Sequence, residues 1–167
     1  MNKKIITNTI LLSVLSFAEG YEINRVAPAK NAIYQKECAS CHFGYQPGLL
    51  PKQTWGKIMN TLDNHFGTDA SLDDKTKADI TRYLVNNSSD SQNSNFRINN
   101  KNNSIKNLRI TKMPYFLREH NEIPKKIIAQ KEVGSLLNCT ACHKSAEKGI
   151  YSEGYIKVPN FRSWDDD

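Results

Sequence analysis

Apolar residues recur at helical spacing through the first half of the chain, and the pattern changes character twice further on. Trp55, Ile58, Met59, Leu62 and Phe66 stand three or four positions apart, which predicts an amphipathic helix from just after Pro51 to about Phe66, ended by Gly67. A second stripe, Leu72, Thr76, Ile80, Tyr83 and Leu84, predicts another, with Ser71 as its N-cap and Asp73 and Asp74 in its first turn. A third helix is expected from about Pro28, carrying Ala32, Ile33, Tyr34 and Glu37. Pro47-Gly48-Leu49-Leu50-Pro51 reads as an apolar turn between them.

Between positions 86 and 107 the pattern collapses: 14 of 22 residues are Asn or Ser, and only Phe96, Ile98 and Ile105 offer apolar surface. This is a linker or long surface loop, placed at 87–107. Beyond it Leu108 and Ile110 suggest a very short extended piece, and Pro114 opens the run Tyr115-Phe116-Leu117-Arg118-Glu119-His120. A helix is expected from about Pro124 through Ile127, Ile128, Val133, Leu136 and Leu137, and positions 151–161 look extended. The expected organisation is therefore mainly α, with an N-terminal unit at 19–86 and a smaller, less regular one at 108–167.

Each unit contains one Cys-x-x-Cys-His motif. Cys38-Ala39-Ser40-Cys41-His42 and Cys139-Thr140-Ala141-Cys142-His143 use all four cysteines and half of the four histidines. The spacing has a chemical reason: on a helical turn positions i, i+3 and i+4 share a side, so two thioether bonds and one imidazole can meet a single macrocycle. The motifs predict two covalently bound haems c, with His42 and His143 as proximal iron ligands. Zinc or a redox dithiol could use the cysteines too, but neither explains a histidine directly after both pairs.

Two irons leave two axial positions, and two histidines remain, His65 and His120. Bis-histidine ligation at both centres follows as the expectation, pairing His42 with His65 and His143 with His120. Crossed pairing between the units breaks no spacing rule. On a helix continuing past Leu62, His65 falls on the edge of the apolar stripe. Met59 suits a packing role, and Met113, before Pro114, is the stronger competitor for the second iron.

The chain opens with Lys3 and Lys4, followed by a short apolar run ending in Ser16-Phe17-Ala18, which is the pattern of a secretory signal peptide at 1–18, cleaved after Ala18. Export to the periplasm is expected, since c-type haem attachment takes place outside the bacterial cytoplasm. Removing Lys3 and Lys4 from 23 basic residues leaves 21 against 17 acidic ones, a balance of +4 that four haem propionates would roughly cancel. With the aromatic residues not interleaved among the basic ones in any recognisable binding pattern, nucleic acid is not an expected partner. Lys125, Lys126, Lys131, Lys144 and Lys148 could form a basic rim near the second haem, or be scattered solubilising lysines.

Residues outside the haem motifs carry a resemblance. Cys38 to His42 followed by Pro47-Gly48-Leu49-Leu50-Pro51, then Trp55, Met59, His65-Phe66-Gly67 and Ala70-Ser71-Leu72, resemble the dihaem cytochrome c family. So do Arg118-Glu119-His120 and Asn138 to His143 with Ala146-Glu147-Lys148-Gly149. The resemblance implies bis-histidine haems, an N-terminal domain akin to class I cytochromes c, a less common C-terminal haem domain, and electron exchange with another cytochrome. By analogy a membrane b-type cytochrome is a plausible donor and a soluble haem protein a plausible acceptor, met through transient interfaces.

If two strong ligands close each iron, the protein carries electrons and has no catalytic residue. The competing classes are a small haem enzyme, a peroxidase or oxyanion reductase, and a redox or gas sensor with one labile distal ligand. Glu119 beside His120 is the one candidate proton donor, and an exposed salt-bridging glutamate is the better reading of it.

Overall fold

The computed structural model describes residues 25–92, 94 and 108–161. The expected signal peptide, most of the Asn/Ser-rich stretch and the acidic tail lie outside the described residues. Six helices, α1 Ala32–Cys38, α2 Lys52–Asn60, α3 Asp74–Asn86, α4 Pro114–His120, α5 Lys125–Ile128 and α6 Cys139–Cys142, alternate with short 3-10 turns. Among the described residues there are isolated β-bridges and no strands. Nor is any described helix long and apolar enough to cross a membrane.

α1 begins later than the proline suggested. Asn31 caps it, its side chain accepting from the Tyr34 N–H at 2.8 Å, so the residues between Pro28 and Ala32 stay outside the helix. α2 stops at Asn60, because Thr61 leaves helical geometry at φ −125° and a 3-10 turn, Leu62–Asn64, follows. His65 and Phe66 are therefore not on α2, and Phe66 is 41 % exposed where the apolar stripe had placed it inside. The N-cap of α3 is Asp73, accepting from the Thr76 N–H, and not Ser71, whose own N–H is held by Asp69. An aspartate nearer the first turn offers its carboxylate to the orphan N–H groups and meets the positive end of the helix dipole, so it displaces the serine.

α2 packs on α3 through Trp55, Ile58 and Met59 against Ile80 and Leu84, all buried. Pro51 precedes α2 and has no side chain to cap it. That task falls to Asp90, whose carboxylate accepts from the Lys52 N–H and the Ser88 hydroxyl, both at 2.8 Å. The beginning of the Asn/Ser-rich stretch is consequently packed down: Ser88 and Ser89 are buried, and the Ser89 N–H donates to Leu50 O at 3.0 Å.

The second half is irregular. Ile110–Lys112 forms a 3-10 turn where a short extended piece was expected. α4 opens at Pro114 as its sequence suggested. The long helix expected from Pro124 ends at Ile128, since the Val133 and Gly134 N–H groups both turn back to Gln130 O and Gly134 takes φ +69°. Another 3-10 turn, Glu153–Tyr155, interrupts the stretch expected to be extended.

One apolar cluster joins the two halves. Ile110, Met113 and Phe116 share it with Val26, Leu50, Trp55 and Leu84. At its edge the Val26 N–H donates to Gly149 O at 2.8 Å, so the first described residues seal against the segment after the second haem motif. Gly149 is required there. It takes φ +72°, and a Cβ would come within 1.8 Å of Val26 O.

Candidate functional site: two paired histidine centres

Cys38 ends α1, and Cys41 and His42 follow in the turn beyond it. In the second motif the two cysteines bracket α6, and His143 follows with its N–H donating to Cys139 O at 2.9 Å. Lys144 finishes that short helix by donating from Nζ to the Thr140 and Ala141 carbonyls at 3.2 and 2.5 Å.

The four histidines form two pairs. Ring centres of His42 and His65 lie 6.2 Å apart with planes at 23°, and those of His120 and His143 lie 6.1 Å apart with planes at 60°. With about 2.0 Å for a metal–imidazole bond and about 1.1 Å from nitrogen to ring centre, one metal held between two imidazoles needs about 6.2 Å between centres. Both pairs meet that separation, although the local structures that deliver them differ.

His65 arrives through a tight turn. Its N–H donates to Thr68 O at 2.7 Å and the Thr68 N–H returns the bond to His65 O at 3.2 Å. Between them Phe66 at φ +55° and Gly67 at φ +98° have the positive φ values of a type I′ turn. Glycine suits that geometry and phenylalanine does not, so Phe66 costs about 1–2 kcal/mol in left-handed backbone. Arg109 from the second half lies over its ring at 4.3 Å, and the His65 ring meets its edge at 4.8 Å. His120 instead ends α4, its ring 3.9 Å from and parallel to that of Phe116 one turn earlier.

Hydrogen bonds select the tautomer. His42 Nδ1 sits 2.8 Å from Phe43 O and His120 Nδ1 sits 2.9 Å from Phe116 O. A carbonyl only accepts, so each Nδ1 carries the proton and each Nε2 keeps its lone pair for a metal. Desolvation lowers the pKa of His65, with help from His42 and Arg109, and that of His120. It takes His143 down to about 4, with help from His120. These three imidazoles are neutral near pH 7, the form a metal requires. His143 Nδ1 is buried with no hydrogen-bond partner.

The rival uses of the cysteines fit less well. Burial pushes the Cys38 and Cys139 thiols up to about 11, opposite to the lowered values of reactive dithiols. Among the described residues, no three His, Cys, Asp or Glu side chains gather as a zinc site would need. Met113 is buried in the shared core, while His120 is the side chain facing His143. Glu119 is exposed and paired with Arg118 at 3.0 Å.

Three features escaped the sequence reading: the strained Phe66, the Arg109 guanidinium over it, and a buried Gln46 between the centres. His-Phe-Gly before Thr68 could have signalled the turn. The other two depend on partners far along the chain.

A mainly helical chain with two such motifs and two facing histidine pairs has the makings of a c-type haem protein with two centres. The family model for dihaem cytochrome c matches residues 34–151, and the chain belongs to that family. Among solved structures, the chain is similar to a dihaem cytochrome c from Shewanella baltica, at 38 % identity and TM-score 0.67, covering 82 % of this chain and 99 % of that one. It is also similar to the dihaem cytochrome c of Rhodobacter sphaeroides, at 35 % identity and TM-score 0.67, covering 75 % and 99 %. No curated protein matches. Two covalently bound haems c and haem-based electron transfer come with membership of the family.

Proposed function

We propose that this chain is a periplasmic electron carrier in which both haem irons are closed by two histidines. Cys38 and Cys41 would hold the first haem, with His42 and His65 as axial ligands; Cys139 and Cys142 would hold the second, with His143 and His120. The observation that carries the reading is the pair of ring separations, 6.2 and 6.1 Å. When bound, the haems supply one-electron exchange at iron.

The chain's part is to hold and shield. Phe43 O and Phe116 O orient two of the imidazoles and, in the neutral tautomer, leave Nε2 as the nitrogen free to bind iron. Tyr45 and Tyr151 pack beside His42 and His143, with ring centres 5.1 and 5.3 Å apart. With both axial positions filled, a small molecule could bind iron only by displacing an imidazole, which favours a carrier over an enzyme or gas sensor. Carbon monoxide added to the reduced protein tests this. An unchanged spectrum is expected, and binding at either haem of the intact protein would refute closed ligation.

Periplasmic placement rests on the pattern of the first 18 residues. N-terminal sequencing of the mature protein should begin at Glu19. A membrane b-type cytochrome as donor and a soluble haem protein as acceptor are proposed by analogy with the family, through transient interfaces. Stopped-flow reduction by candidate cytochromes checks this, and saturation at slow turnover with a long-lived complex would contradict it.

A further inference from the structure

Gln46 is only 1 % exposed, yet it carries both halves of an amide into the seam between the two histidine pairs. A buried amide is costly unless each half is paired. Its Nε2 donates to Ala146 O at 2.6 Å, and its Oε1 accepts from the Tyr151 hydroxyl at 2.5 Å. Both partners belong to the segment after the second haem motif, 100 and 105 positions along the chain.

The neighbours of this amide are the neighbours of the histidines. Tyr45, next in sequence to Gln46, has its ring 5.1 Å from that of His42. Its hydroxyl donates to Leu137 O at 3.2 Å, two positions before Cys139. Tyr151 has its ring 5.3 Å from that of His143. His42, Tyr45, Gln46, Tyr151 and His143 thus form a continuous series of ring contacts, one peptide bond and one hydrogen bond that crosses from one pair to the other. Apolar side chains elsewhere in the shared core can slide on one another. An amide held at both ends cannot, because hydrogen bonds are directional.

We propose that Gln46 is a positioning residue, a strut that fixes the separation of the two haem centres and with it their rate of electron exchange. The proposal rests on the bis-histidine reading above only for naming the centres, since it concerns the distance between them.

The test uses the oxidised, fully matured protein and pulsed electron paramagnetic resonance to read the iron-to-iron distance distribution. Gln46→Leu removes both hydrogen bonds at similar volume, and Tyr151→Phe removes the hydroxyl alone. A single narrow distribution is expected in the unaltered protein. It should broaden in Gln46→Leu and broaden less in Tyr151→Phe, with electron exchange between the haems slowed severalfold and each haem's own absorption spectrum unchanged. Ile127→Ala, a cavity under α5 outside the apolar cluster that joins the two halves, should leave the distribution narrow. If Gln46→Leu does not mature, Tyr151→Phe decides alone. A distribution as narrow as the original in the variant that matures, or equal broadening in Ile127→Ala, would overturn the strut. A high-spin spectrum of the unaltered protein would instead overturn the ligand reading and leave the distance measurement valid.

Discussion

Gly149→Ala isolates how the two halves are sealed. Gly149 takes φ +72°, and a Cβ there would stand 1.8 Å from Val26 O, where no rotamer can relieve the clash because the obstacle is backbone. Left-handed backbone costs an alanine about 1–2 kcal/mol. The displaced Val26 carbonyl adds an overpacking cost of about 1–3 kcal/mol. Losing the 2.8 Å bond from the Val26 N–H to Gly149 O adds about 1 kcal/mol more. The total is about 4 kcal/mol. Gly134 is the matched control, since it has φ +69° and nothing within 4 Å of its would-be Cβ. Gly134→Ala should therefore cost only the conformational part, about 1–2 kcal/mol. Denaturation of the holoprotein followed by far-ultraviolet circular dichroism should separate the two variants by roughly 10 °C in midpoint. Equal midpoints would mean that Val26 yields freely, and the seal between the first residues and the second haem segment would not be real.

His65→Ala and His120→Ala should each open one iron, so that carbon monoxide binds one haem of two after reduction; a variant that opens neither or both would refute the pairing. Asp90→Ala should cost about 1 kcal/mol by stripping α2 of its only side-chain cap among the described residues, and Asp90→Asn should recover most of it, measured by urea denaturation. Because His42 is exposed while His120 and His143 are both shielded, the ferric form should be less favoured at the second centre, which should be reduced at the higher potential. Potentiometric titration read by electron paramagnetic resonance checks this: ring planes at 23° and 60° should give two distinguishable low-spin signals, and reduction of the 23° centre first would contradict the argument.

Cofactor number and family were legible because they depend on short-range chemistry: two cysteines and a histidine at fixed spacing, repeated once, and the residues that follow them. The helical faces of α2 and α3 were legible for a similar reason, since Trp55, Ile58 and Met59 on one and Ile80 and Leu84 on the other repeat at the spacing that burial against a neighbour demands. His65 shows where that reasoning stops. Periodicity extended α2 to reach it. In the structure α2 ends at Asn60, and the ring is brought beside His42 by a 3-10 turn and a type I′ turn that forces Phe66 into left-handed backbone. His65 does face His42, but from a turn and not from the helix expected.

The second half was harder to read because its chain has less need of regular structure. Between α5 and α6 only Val133 is buried, while Leu137 is 38 % exposed, so an apolar pattern taken as one continuous helix belongs to a series of turns. Long-range partners explain what holds such a segment. Tyr45 takes Leu137 O, Gln46 takes Ala146 O and the Tyr151 hydroxyl, Tyr115 donates to Leu49 O at 2.9 Å, and Val26 meets Gly149. None of these bonds has a local signature, since each partner lies tens of residues away. A covalently held haem constrains the same stretch from the other side, because ligation contributes folding free energy that a helical stripe would otherwise have to supply. The prediction of a long helix failed here for that reason: pinned at the motif, at the histidine and along the seam, the chain can satisfy its backbone in turns and still present His143 to His120.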